Sequence, residues 1–300
     1  MPLALSLVIV SSAASHARAQ ATLTKHVVHA DDAHALVVWA KAPRGSARGE
    51  ILLLHGRTWS SLPNFDLHVA GVQVSLMDAF VARGYAVYAL DQRGYGATAR
   101  DATGWLTLNR AADDAATVLD WIAGRSRAKR RAAALGYSRG SITAMAVAQR
   151  HPQSLSALIL YGFRANLDSL PDPVPEPSAP PRVRTTAEAA GEDFITPEST
   201  PRGVKEAYVR AALASDPVRV DWRREVEEMR ELAPARVHTP TLLLNGDRDP
   251  LAGVSLSSMF PSFATTDRWS VVLEKADHVA HLERQAAFLH AVTSFLERPR

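Results

Sequence analysis

Apolar and polar positions fall into blocks along this chain, and the period of the blocks alternates. Residues 21–43 hold two short β-like runs, among them Ala35-Leu36-Val37-Val38-Trp39-Ala40, the pattern of an antiparallel hairpin at a sheet edge. Glu50-Ile51-Leu52-Leu53-Leu54 is then a continuous apolar run closed by His55-Gly56. Such a run reads as a buried parallel strand with helices over both faces. A helical pattern over residues 74–82 precedes the strand-like 85–90, and another over 110–123 precedes the apolar 131–135. A third runs through Arg150 into Leu158-Ile159-Leu160-Tyr161, which Gly162 stops. This β-α-β-α succession predicts an α/β fold with a mostly parallel, doubly wound sheet.

The succession breaks after Gly162. Residues 170–181 are too rich in proline for a helix or a central strand, and helical patterns return at 203–214 and 216–232. Strand patterns resume at 241–246 and 269–274, and a last helix is predicted over 281–296. The expected organisation is a core made of residues 20–162 and 237–300, with residues 163–236 as an inserted, mainly helical cap or lid. Ligands bind at the carboxyl ends of such strands, so an insertion leaving that edge would lie over the site.

Composition narrows the picture. With 47% hydrophobic and 22% charged residues, the 300-residue chain has ample material for a large core. The net charge of +3 is a small excess spread among mixed charges. The one dense basic cluster, residues 125–131, lies between a predicted helix and a predicted strand, so it reads as a solvated loop and not as a nucleic-acid site. Cysteine is absent, which excludes disulfides and thiol chemistry. The apolar run at residues 3–10, followed by Ala17-Arg18-Ala19, predicts a cleaved signal peptide over residues 1–19, although no Lys or Arg precedes it. The protein is then expected to be secreted or periplasmic, and otherwise cytoplasmic. No other stretch is long enough to span a bilayer.

The chemistry centres on Gly136-Tyr137-Ser138-Arg139-Gly140, placed between an apolar run and a helical pattern. A serine hydroxyl is a poor nucleophile until a sharp strand-to-helix turn exposes it and a base takes its proton. His278 is the base chosen from position, because it follows a predicted strand and precedes the last helix. Asp249, a few residues past the strand 241–246, is the carboxylate expected to orient it, with Asp247 as runner-up and more simply a turn residue. The backbone N–H of Arg139 at a helix start, and that of Arg57 after the first parallel strand, are the expected oxyanion donors, with Thr58 behind Arg57. His55 is read as structural. His26, His29, His34, His68, His151, His238, His281 and His290 lack the placement of a base, and most of them read as helix-end or surface residues.

Residues 50–296 resemble the α/β-hydrolase superfamily in these motifs, together with Asp91-Gln92-Arg93-Gly94-Tyr95-Gly96 and Gly246-Asp247-Arg248-Asp249-Pro250. The resemblance implies a serine hydrolase that cleaves an ester or related acyl bond of a small-molecule substrate through an acyl-enzyme on Ser138, with no cofactor and no metal. A cofactor-free perhydrolase or lyase on the same triad is the alternative, and a non-catalytic binding protein a more distant one. It also implies that Asp91 and Arg93 are a loop-fixing pair. Arg57, Arg139 and Arg164 are expected to point outward and pair with acids such as Asp66; facing the pocket, they would favour an anionic substrate. Trp59, Phe65, Trp105, Phe163 and Trp222 are candidates for an acyl pocket or for plain core.

Overall fold

Within the apolar run at residues 50–54, side chains alternate between two cores. Ile51 and Leu53 join one buried cluster, Leu52 and Leu54 the other, all four fully buried. That is the period-two rule applied to a strand covered on both faces. The computed structural model describes residues 21–56, 59–126, 128–163, 182–220, 225–250, 252 and 259–299. The strands are β1 (Thr24–His29), β2 (Ala35–Lys41), β3 (Glu50–Leu54), β4 (Ala86–Asp91), β5 (Ala133–Tyr137), β6 (Ala157–Tyr161), β7 (Arg182–Arg184), β8 (Val218–Val220), β9 (Thr241–Gly246) and β10 (Arg268–Leu273). Eight of them form one sheet in the order β1-β2-β4-β3-β5-β6-β9-β10. The β1–β2 and β2–β4 pairs are antiparallel and the rest parallel, so the expected edge hairpin and doubly wound sheet are both present.

The helices are α1 (Ser61–Phe65), α2 (Leu76–Val81), α3 (Leu108–Arg125), α4 (Arg139–Arg150), α5 (Ala187–Ala190), α6 (Val204–Ser215), α7 (Val226–Arg230), α8 (Ala280–Glu283) and α9 (Gln285–Leu296). Through Phe80, Phe288, Val292 and Phe295, α2 and α9 cover one sheet face. On the other lie α3 and α4, with Leu108, Ala112, Ala115, Leu119 and Ile122 at helical spacing on α3. Among the described residues no helix is long and apolar enough to cross a membrane.

Two helical expectations are corrected. Residues 216–232 are not one helix. Pro217 biases Asp216 away from helical backbone, α6 stops at Ser215, and residues 218–220 pair with β7 before α7 begins. The last helix is split, because Arg284 (φ −123°, ψ 41°) separates α8 from α9. The segment between β6 and β9 packs toward β3 and its loop, where the Tyr208 hydroxyl donates to Asn64 Oδ1 at 3.3 Å. The signal-peptide reading, Arg57, Thr58, Arg164, the proline-rich 170–181 and Trp222 lie outside the described residues.

Candidate active site

Ser138 sits where β5 turns into α4, with φ 54° and ψ −121°. A non-glycine residue there is strained, and that strain marks a turn which thrusts the side chain out. The turn closes only because its glycines lack Cβ atoms. A methyl at Gly136 would run into the Gly140 carbonyl, and one at Gly140 into the carbonyl of Leu54. The Ser138 amide donates to the Tyr161 carbonyl at 2.8 Å, which ties the turn to the end of β6. Arg139 opens α4, whose first amides have no partner within the helix and attract negative charge.

Asp249 and His278 come from the neighbouring strand ends. Asp249 follows β9 and His278 follows β10, and His278 Nδ1 lies 2.9 Å from Asp249 Oδ2, both buried. With Nδ1–H donating to that carboxylate, Nε2 is left to accept a proton. Burial alone would lower the His278 pKa. The hydrogen bond to Asp249 and the charges of Asp193, Asp249 and Asp277 outweigh it, and the net shift is upward from 6.5. Asp247, the runner-up, instead accepts from Ala276 N at 3.1 Å and braces the loop that carries His278.

Gly162, the residue after Tyr161, brings the serine turn against this pair. Its φ is +59°, and a Cβ there would lie 2.9 Å from His278 Cε1 and 3.6 Å from Asp249 Oδ2. Ser138, Asp249 and His278 are thereby gathered at one sheet edge. Gly162→Ala should cost about 2–3 kcal/mol, combining left-handed strain with displacement of the imidazole. Urea denaturation measures it, and an unchanged midpoint would show that the loop yields freely.

Residues that the sequence reading passed over hold the His278 loop. The Tyr161 hydroxyl donates to the His278 carbonyl at 2.7 Å and lies 3.1 Å from His281 Nδ1. His281 is not a surface residue. It is fully buried with Nε2 2.9 Å from the Asn64 carbonyl, and burial pushes its pKa down to about 4. Its signal was position: it lies three residues past His278, in the first turn of α8. Asp277 accepts from Thr196 N at 2.7 Å and Val279 N at 3.0 Å, while Glu283 accepts from Asp277 N at 2.8 Å. Burial, with the Asp277 charge beside it, pushes the Glu283 carboxyl up to about 7.

The loop after β3 is fixed from several sides. His55 Nδ1–H donates to the Gly56 carbonyl at 2.7 Å, and Nε2 accepts from Gln92 N at 3.0 Å. Burial lowers its pKa to about 4, which suits a neutral structural imidazole. Asp216 accepts from Ser60 N at 2.7 Å and Gly96 N at 2.9 Å. Asp91 accepts from Ser61 N and Ala97 N, both at 2.9 Å. Asp91 and Arg93 therefore fix loops separately and are not each other's partner. Arg93 is spent on Asp114 at 2.8 Å and Asp32 at 2.7 Å.

The Arg139 side chain is the largest departure from expectation, since it points neither to solvent nor to Asp66. It is buried, with Nη2 2.9 Å and Nε 3.0 Å from the Glu225 carboxylate and Nη1 2.7 Å from Gln92 Oε1. Gln92 Nε2 in turn donates to the His55 carbonyl at 3.0 Å. Asp66 is held by Lys41 at 2.6 Å and by the Ser75 hydroxyl at 2.6 Å. Asp66, His68 and Asp78 lie close enough to share a cation, but the Lys41 ammonium already sits 2.6 and 2.7 Å from the two carboxylates. Trp59 and Phe65 belong to one core cluster and Phe163 to the other, and Trp105 is buried. Their surroundings are those of core residues.

The comparisons with known proteins agree with this architecture. A monoglyceride lipase homolog of monkeypox virus is 26% identical over 161 residues, a match spanning 50% of this chain and 55% of that protein. The chain thus spans about half the length of that relative. Among solved structures, a hydrolase from Pseudomonas aeruginosa PA01 superposes with a TM-score of 0.61 at 19% identity, covering 92% of this chain and 99% of that one. A thermophilic esterase superposes at 0.60 and 19% identity, covering 92% and 98%. Both show the shared α/β-hydrolase fold. The family model described as serine aminopeptidase, S33, matches residues 45–285, and the chain belongs to that family of hydrolases.

Proposed function

We propose that this protein is a serine hydrolase that cleaves a carboxylic ester through an acyl-enzyme on Ser138. The observation that carries the reading is the buried His278–Asp249 hydrogen bond beside the strained Ser138 turn. Ser138 Oγ attacks the acyl carbonyl while His278 Nε2 takes its proton, and the new imidazolium is held by Asp249. The oxyanion accepts from the Arg139 N–H at the start of α4, with Arg57 N–H assigned as second donor. The imidazolium then protonates the departing alcohol. Water, deprotonated by His278, releases the acid in the second half.

The monoglyceride lipase homolog and the esterase neighbour favour an ester as the bond that is cut. We assign residues 163–236 as the cap, since Thr196, Asp216 and Glu225 each bond to the loops around the site. A neutral acyl group suits the site better than an anionic one, because Glu225 consumes the Arg139 charge and Asp193 adds negative potential at His278.

A fluorophosphonate tests the reading. Stoichiometric labelling at Ser138 is expected, with a rate that rises with pH as His278 loses its proton. Because the His278 pKa is raised, the rise should be centred above 6.5 in the native protein and move down in Asp249→Asn. A flat pH profile, or a label on another residue, would refute the assignment.

A further inference from the structure

The basic cluster at residues 125–131 acquires neighbours in the fold. Helices run back against the strands, so the end of α3 and the loops entering β3, β4 and β5 all meet at the amino-terminal edge of the sheet. Arg44 and Arg48 come from the loop before β3, Arg83 from the turn after α2, Arg125 from the end of α3, and Lys129, Arg130 and Arg131 from the loop into β5. All seven are exposed. The loops touch one another. Arg48 N donates to the Gly84 carbonyl at 2.8 Å, and Arg130 Nη2 to the Ala47 carbonyl at 3.3 Å. The acids among them are few. Glu297 pairs with Arg48 at 2.8 Å, Glu50 accepts from the Ser126 hydroxyl at 2.8 Å, Asp120 stands one turn up on α3, and Asp78, which lines a cleft with Arg44 and Arg125, is paired with Lys41 at 2.7 Å. Cations on this edge remain in clear excess.

The described chain also begins here. Ala21 and Thr22 line, together with Arg44 and Arg125, one cleft of about 870 Å³. Thr24 pairs with Ala40 near the end of β2, which fixes the entry point at this edge. Ser138, Asp249 and His278 lie at the opposite, carboxyl-terminal edge, so the face is no part of the proposed acyl site.

We infer that the amino-terminal edge of the sheet, built from Arg44, Arg48, Arg83, Arg125, Lys129, Arg130 and Arg131, is an electrostatic docking surface for an anionic phospholipid bilayer. Each cation near such a surface strengthens binding about fivefold, and the attraction decays within a Debye length. A protein docked this way holds its carboxyl-terminal edge toward water and draws its substrate from solution. The exposed cations are spread over loops from four parts of the chain along one edge, and that breadth complements a flat, uniformly anionic bilayer.

The test is sedimentation of the full chain with vesicles of phosphatidylcholine alone and of phosphatidylcholine mixed with phosphatidylglycerol. Binding should rise with the anionic lipid and fall with added salt. The triple variant Lys129→Gln, Arg130→Gln, Arg131→Gln should weaken partition onto anionic vesicles about a hundredfold. A matched control, Arg202→Gln, Arg210→Gln, Arg284→Gln, removes the same charge from exposed positions on the insertion and between α8 and α9, and should bind as the native chain does. Unchanged thermal melting of both triples shows that they are folded. Equal partition onto neutral and anionic vesicles, an equal loss in the control, or retention on a polynucleotide without vesicle binding would each overturn the proposal.

Discussion

Ser138→Ala is expected to lower kcat/KM on an activated ester by a factor of roughly 10⁵–10⁶, the loss seen when the nucleophile of a serine triad is removed. The fold should be indifferent to the change. Alanine at φ 54° bears the same strain as serine, and the Ser138 side chain makes no capping hydrogen bond to α4, so stability should shift by under about 0.5 kcal/mol. Asp249→Asn should cost about 10⁴, because an amide cannot hold the imidazole in the tautomer that leaves Nε2 free. The double variant should be no slower than Ser138→Ala alone, since Asp249 acts only through the serine. Losses that multiply would mean independent roles and would sink the concerted mechanism. Steady-state kinetics on the purified variants decides between the two.

Much of this frame is legible in the sequence because its strands are buried on both faces. Residues 51–54, 158–161 and 242–244 are continuous apolar runs, and runs of that kind have few other readings. Ser138, Asp249 and His278 are legible for a related reason. Each follows a strand end, and strand ends in a parallel sheet share an edge. What escaped the reading depends on contacts distant in sequence. Glu225 reaches Arg139 across 86 residues, and Tyr161 meets His281 across 120. No local pattern announces either pair. The helix expected over 216–232 failed for a local reason that the sequence did contain, because Pro217 ends the turn before it. His281 was misread because a helix-start histidine is usually solvated, and here α8 drives it between Tyr161 and Asn64.

Glu225→Ala should destabilise the protein by about 3–5 kcal/mol, the cost of leaving a buried charge without its partner. Arg139 carries that charge deep beside Ser138. Burial works against its guanidinium, and the Glu225 carboxylate outweighs burial so that the Arg139 pKa is raised overall. Replacing both members with apolar residues, Arg139→Met with Glu225→Leu, should cost far less than the single change, because no charge is then stranded. The stability recovered should not restore activity. The ion pair joins the insertion to the first turn of α4, and Gln92 carries the connection on to His55 at the start of the loop after β3. Without it, the amide of Arg139 loses the side-chain anchor that fixes its turn. A sub-ångström drift of this proposed oxyanion donor should lower kcat while leaving KM nearly unchanged, since that bond strengthens only in the transition state. Urea denaturation read beside kcat separates the two effects. If the double variant regains full kcat along with its stability, the pair serves the fold alone.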